Sequence, residues 1–324
     1  MKNTKNTKYV FFKKAAVLGF FVALFLLVSN ALYFAWVVPE TVIGKTDKQF
    51  EDRDGNFDII FFGDSHVLSG IDPQYINGSF NFASTGENYF QTYYKVKKIL
   101  ESDGEKPKAI ALSIDLHSFS STRVKDFGNL WYWKKYVPFE EMVRFEEENK
   151  TQRWMQTYVP VIGKGTGFVE LFLQSNKANV TLGYRALNED FEKAENRKKT
   201  GEKRARFHFR NAEDFDELLV EKFSNIIDLA QENGVEVFLI KFPVSKEYLA
   251  GAEKYIDAEN YYANLDDIIS KTKKKGEGIQ MLDYQDEFFD NPGYLSDSDH
   301  LNYRGAKALS IFLEKEIEKV ISLD

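Results

Sequence analysis

Five short apolar runs, spaced by longer stretches of helical period, constrain this chain more than anything else in it. They are FDIIFF (57–62), SFNFA (79–83), AIALSI (109–114), VEVFLIKF (235–242) and IQMLDY (279–284). Each is too short for a helix and apolar at nearly every position, as a strand covered on both faces must be. Between and after them, 88–102, 212–233 (stopped by Gly234), 257–275 and 303–322 repeat their apolar positions at helical spacing. Strands that alternate with helices imply an α/β fold, a parallel sheet with helices on both faces. Such sheets bind ligands beyond the carboxyl ends of their strands.

The first of those ends reads Phe61-Phe62-Gly63-Asp64-Ser65-His66. Gly-Asp-Ser is ordinary turn chemistry, because glycine accepts unusual dihedrals and Asp and Ser bond back to the local backbone. It is also where a nucleophile would stand, provided that another part of the chain supplies a base and a group to orient it. Histidine is scarce, with four in the chain: His66, His117, His208 and His300. His66, next to the serine, is expected to point elsewhere, as a supporting or surface residue beside Asp64. His208 falls in a basic run and is expected to be solvated. His117 follows the third run and is a reserve candidate. His300 lies in LSDSDHLN before the last helix, with Asp297 three residues earlier. That spacing lets the carboxylate curl back onto one ring nitrogen while the other faces the serine. The competing reading is that Asp297 or Asp299 only caps the helix beginning near Asn302.

Composition removes several classes. The 324 residues contain no cysteine, which excludes disulfides, thiol catalysis and cysteine-bound metals, and a net charge of -7 argues against a nucleic-acid partner. The glycine-rich GKGTG (163–167) lacks the spacing of a nucleotide-binding phosphate loop, so neither a cofactor nor a metal is called for. The amino end sets the compartment. Five lysines precede an apolar segment from Ala15 to Val38 that as a helix would span roughly 36 Å, enough to cross a bilayer. The lysines place the amino end in the cytoplasm and the rest outside, with Tyr33 and Trp36 at the outer interface. A cleaved secretory signal ending near Ser29-Asn30-Ala31 is the alternative. The expected organisation is a basic start and anchor over 1–38, a polar linker over 39–56 and an extracytoplasmic domain over 57–324.

Within that domain, 118–210 interrupts the alternation and reads as a mostly helical, irregular insertion. It carries three of the four tryptophans, Trp131, Trp133 and Trp154, and the basic run RKKTGEKRARFHFR at 197–210. The run is a solvated face or a contact for anionic polymer or lipid headgroups. The stretch FGNLWYWKKY (127–136) is core or a sugar-stacking platform.

With GDS after the first strand and D-x-x-H before the last helix, the chain from about residue 57 resembles the SGNH (GDSL-type) hydrolase superfamily. The resemblance implies a flavodoxin-like three-layer fold with strand order 2-1-3-4-5 and a catalytic set Ser65, Asp297 and His300. NFASTGEN (81–88) matches the family's second block, so that the N–H groups of Ser65 and Gly86 would form the oxyanion hole, with Asp64, His66, Asn88 and His117 in support. The third block departs from the pattern: where most members have an asparagine that completes the hole, this chain reads LSIDLH (112–117). An ionised Asp115 would repel an oxyanion, leaving Ser113 or His117 as donors. Departure there and a single anchor are similar to the membrane-anchored envelope O-acyltransferase-like branch, which includes the D-alanyl-lipoteichoic acid transfer protein and the alginate O-acetylation proteins. The resemblance implies an O-acyltransferase that takes an acyl group from a membrane-bound O-acyltransferase and passes it to a surface polysaccharide or teichoic acid. The alternatives are an esterase with the same triad and a non-catalytic envelope scaffold.

Overall fold

A computed structural model describes residues 2–124, 128–144, 149–163, 166, 167, 169, 170, 179–210, 215–273 and 278–323. The five apolar runs form five strands: β1 (Ile59–Phe62), β2 (Ser79–Asn81), β3 (Ala109–Ser113), β4 (Glu236–Lys241) and β5 (Ile279–Asp283). All pair in parallel in the order β2-β1-β3-β4-β5, with Ile59 opposite Ser79 and Ala109, and Val237 opposite Ile279.

Side chains alternate across each strand, and both faces are apolar. Ile60, Phe62, Ile110, Leu112, Val237 and Leu239 pack on one face with the helices Tyr89–Leu100, Glu217–Glu232 and Ala258–Lys273. Ile59, Phe61, Ala109, Ala111, Phe238 and Ile240 pack on the other with the short helix Ser65–Gly70 and the last helix, Tyr303–Ile317. The result is the three-layer α/β arrangement.

The amino-terminal helix runs from Lys2 to Leu32 and continues through a π turn (Tyr33–Val37) and a 3-10 turn (Val38–Glu40). Lys8–Glu40 is long and apolar enough to cross a membrane, a property shared by anchors and signal sequences. Its last turn docks on the domain. Tyr33 is fully buried, packs with Val37 and Val161, and donates its hydroxyl to Glu170 Oε2 at 2.7 Å. Phe34 meets Trp131 edge-on at 6.0 Å, and Asn30 Nδ2 donates to the Tyr158 carbonyl. Tyr33 is therefore a packing residue and not the interface anchor its composition suggested; Trp36, 54% exposed, stays on the outside.

Residues 39–56, expected as a linker, contain the helix Val42–Glu51, capped by Thr41. Phe50 from this helix stacks on Phe82 at 4.3 Å and tilts against Phe80, so the helix belongs to the domain's packing. In the insertion, Trp131, Tyr132 and Trp133 are buried in the main core, which rules out the platform reading for them. Phe127 lies outside the described residues, as do Lys164 and Gly165 of the glycine-rich stretch. The basic run forms the helix Arg197–Phe209, which packs against the helix Lys246–Ala252 with Gly201 set tightly on the Glu247 carbonyl.

Candidate active site

The turn after β1 requires Gly63. Its φ is +149°, and a Cβ there would lie 2.6 Å from both Ser113 Oγ and Val67 Cγ2. Asp64 caps the following helix by accepting from the His66 N–H at 2.9 Å, which puts Ser65 on the first helical position at the sheet's carboxyl edge. On the other side of the molecule's sequence, Asn302 caps the last helix and also ties three loop carbonyls, those of Glu189, Gly293 and Leu295, with its side-chain amide. That fixes the 295–301 loop.

The loop brings His300 to the serine. His300 Nε2 lies 2.8 Å from Ser65 Oγ, and Nδ1 lies 2.9 Å from Asp297 Oδ2. Asp297 is itself held, with Oδ1 accepting from the backbone N–H groups of Asp299 and His300. The carboxylate thus selects the tautomer in which Nδ1 carries the hydrogen and Nε2 is free to accept the serine proton. Gly86, with φ +75°, turns its loop beside Ser65, and neither the Ser65 nor the Gly86 N–H has a protein acceptor among the described residues.

Behind the serine, all four histidines of the chain form one cluster. His66 lies 4.6 Å from His117 and 5.1 Å from His300 between ring centroids, and His117 stacks on His208 at 4.2 Å and 10°. His66 is buried with Nδ1 2.9 Å from Asp115 Oδ2 and Nε2 3.3 Å from Asp299 Oδ2. Burial opposes its charge, but Asp115 and Asp64 prevail and hold its pKa well above the usual imidazole value. His208, expected in solvent, is buried against Tyr248, and desolvation drives its pKa well below the usual value. His117 is lowered by burial too; its Nε2 bonds Asp64 Oδ2 at 2.8 Å and its Nδ1 has no partner.

Asp115 resolves the concern about a repelling carboxylate, since it turns away from the serine to bind His66 and the Phe242 N–H. Asn88 sits one step further out: it caps the Tyr89–Leu100 helix in a capping box with Gln91 and donates to the Arg123 carbonyl. Three residues, Asp299, Arg204 and Arg123, have partners at the site that the sequence reading did not assign them. Asp299 joins His66 to Arg204, which clamps it with Nε and Nη2 both at 2.8 Å. Despite the burial of its carboxylate, Asp299 is held well below the usual range by His300, His66 and Arg204. The spacing of the basic run held no signal for this, because its partner lies 95 residues away. Arg123 pairs with Asp64 Oδ2 at 3.0 Å.

Ser65 and His300 open into a cleft of ≈ 490 Å³, whose walls include Gly86, Arg123, Arg185, Arg204 and Phe207. Ser113 and His117 are not among its lining residues.

No family description and no curated protein matches the chain. Among solved structures, it is similar to one provisionally described as a platelet activating factor from Streptococcus pneumonia, at 15% identity and TM-score 0.43, covering 90% of this chain and 99% of that one. It is also similar to a GDSL-like lipase from Bacteroides thetaiotaomicron, at 10% identity and TM-score 0.44, covering 86% of this chain and 100% of that one. A provisionally assigned acylhydrolase from Bacteroides fragilis follows at 11% identity and TM-score 0.41, covering 84% and 95%. The strand order, independent of those likenesses, is the one the SGNH resemblance implies. The fold is the flavodoxin-like three-layer α/β arrangement.

Proposed function

We propose that this chain is a membrane-anchored, extracytoplasmic serine acyl-transfer enzyme of the SGNH type, working through an acyl-Ser65 intermediate. The observation that carries this reading is the 2.8 Å contact of Ser65 Oγ with a His300 ring whose other nitrogen is bound by Asp297. Ser65 Oγ attacks the carbonyl carbon of an acyl ester while His300 Nε2 takes its proton. The carbonyl π pair moves onto oxygen, and the N–H groups of Ser65 and Gly86 stabilise that oxyanion. The intermediate collapses, the C–O bond to the leaving group breaks, and the departing oxygen takes the proton from His300. An acceptor hydroxyl then gives its proton to His300 as its oxygen attacks the acyl-serine carbonyl carbon; the second tetrahedral intermediate collapses, the bond from that carbon to Ser65 Oγ breaks, Oγ takes the proton back from His300, and the new ester departs.

The acceptor assigned here is a hydroxyl of a surface polysaccharide or teichoic acid, and the acyl group acetyl or D-alanyl. The apolar Lys8–Glu40 helix supports a place at the membrane, where a membrane-bound O-acyltransferase would hand the acyl group across. Arg185 in the wall of this wide cleft suits an anionic polymer strand. Water as the acceptor, which makes the chain an esterase, is the second reading; a half-exposed serine in an open cleft favours it.

The test is the intact mass of the chain after brief exposure to a small activated acyl ester, beside Ser65→Ala and His300→Ala. A gain of one acyl group in the wild type alone supports the reading, and partition of that acyl between water and polymer fragments separates transferase from esterase. A wild type that gains no mass and releases no product favours the scaffold.

A further inference from the structure

The block that carries the third oxyanion donor in the SGNH pattern has no asparagine here, and neither Ser113 nor His117 lines the cleft. A different side chain stands where that donor is needed. Arg123 Nη2 donates to the Glu87 carbonyl at 2.8 Å and pairs with Asp64 Oδ2 at 3.0 Å. Glu87 directly follows Gly86, and Asp64 directly precedes Ser65. The guanidinium therefore bridges the two backbone stretches whose N–H groups face the nascent oxyanion.

Its three nitrogens have separate fates. Nη2 is committed to those two acceptors, and Nε is sealed from solvent without any partner. Nη1 is not among the sealed, unpartnered atoms and donates to no protein acceptor among the described residues. The side chain is 9% exposed and lines both the cleft beside Ser65 and Gly86 and a smaller cavity beside Asp64 and Glu87, which leaves Nη1 as the guanidinium nitrogen available to the cleft. A planar guanidinium fixed at one nitrogen aims the others without further loss of freedom. The Asn88 amide fixes the Arg123 backbone as well, donating to its carbonyl at 2.8 Å.

We propose that Arg123 Nη1 is the third oxyanion donor, taking the place of the missing asparagine. This assignment rests on the acyl-serine reading above. It gives the site a donor of positive charge, and Asp64, shared with His117, balances that charge in the resting state. When the carbonyl pair moves onto oxygen, Nη1–H strengthens its bond to the developing anion.

The experiment uses the full chain in detergent micelles, with p-nitrophenyl acetate as substrate and a fluorophosphonate as the covalent probe of Ser65. Removal of one oxyanion donor costs about 10²–10³ in kcat in a comparable site. Arg123→Gln is expected to lower kcat by about that factor with KM within about threefold, because the lost bond forms in the transition state. Arg123→Lys keeps the charge against Asp64 but lacks the fork, and an intermediate kcat loss is expected at an unchanged melting temperature. A merely structural arginine would instead move the melting temperature and KM together and leave kcat of the folded fraction alone. If the wild type turns over and takes the probe at Ser65 while Arg123→Gln keeps kcat within about threefold, Arg123 is overturned and the acyl-serine reading stands. If Arg123→Gln does not fold, wild-type kcat in Arg123→Lys overturns the assignment equally. A wild type that neither turns over nor takes the probe overturns the acyl-serine reading and this assignment with it.

Discussion

At the scale of single residues, the proposed acyl transfer requires Ser65, His300 and Asp297 to act as one unit, and their removal should show it. Ser65→Ala and His300→Ala are each expected to lower acyl transfer by about 10⁶, and the double variant little further, because either loss already disables proton transfer from the serine. Asp297→Asn keeps the shape but presents an amide to His300 Nδ1, favours the wrong tautomer, and should cost about 10⁴ in kcat. Steady-state kinetics on a single ester checks all of these. The histidine cluster makes a separate prediction about stability. His208 and His117 are held neutral by burial, with folded pKa values below the unfolded value of about 6.5. Above pH 6.5 both states are neutral and the stability is intact; as pH falls below it, the unfolded chain binds protons that the folded chain refuses. The loss is up to about 1.4 kcal/mol per pH unit for each group. His66 runs the other way: its stabilisation is complete below its unfolded pKa and lost as pH rises through the raised folded value, so it adds nothing in the acid window. Thermal unfolding at pH 7.5 and 5.5 should therefore show an acid loss that His208→Gln diminishes; an equal loss in the variant would exclude His208 as a cause. The sequence displayed the serine and the D-x-x-H pair because both are local patterns at element ends. It hid Asp299–Arg204 and the burial of His208 because those depend on how the Arg197–Phe209 helix folds back over the sheet edge.

At the scale of elements, the loop that carries Gly86 is held by the helix that follows it. Lys95, on the buried side of the Tyr89–Leu100 helix, lies 2.6 Å from Glu87 Oε2 and donates to the Phe82 carbonyl, with both side chains fully buried. Burial pushes the Glu87 carboxyl up to about 7 and the Lys95 ammonium down, each countered in part by the other. A buried pair broken on one side costs roughly 3–5 kcal/mol, while a matched apolar or neutral replacement of both costs far less. Lys95→Met should thus destabilise the chain by about 4 kcal/mol, and Glu87→Gln with Lys95→Met should recover much of it; calorimetric melting measures both. Activity should fall with the single variant, since Glu87 adjoins Gly86 and its carbonyl receives Arg123. The helix itself was readable from its period and from Asn88 and Gln91, which form the observed capping box. A lysine on its buried face was not readable, because periodicity assigns charges to solvent and only the tertiary partner reverses that.

For the whole molecule, the joint between the apolar helix and the domain is tighter than a tether. Tyr33 and Val37 are buried against Val161, Phe34 rests on Trp131, and the Val42–Glu51 helix inserts Phe50 among Phe57, Phe80 and Phe82. Hydropathy revealed the long apolar segment but not its end, because Tyr and Trp near a membrane boundary suit a lipid interface and a protein contact equally well. The packing seats the α/β domain directly on the end of the apolar helix, with Trp154, Tyr158 and Ile162 exposed alongside it. Burial of each large apolar side chain contributes roughly 1.5–3 kcal/mol. In a Trp36→Phe background, a chain begun at Tyr33 should accordingly be about 3 kcal/mol more stable than one begun at Thr41, and tryptophan fluorescence should shift to the red in the shorter form as Phe34 leaves Trp131. Denaturant titration of the two forms decides the matter. Equal midpoints and equal spectra would mean that the last turn of the helix swings free of the domain.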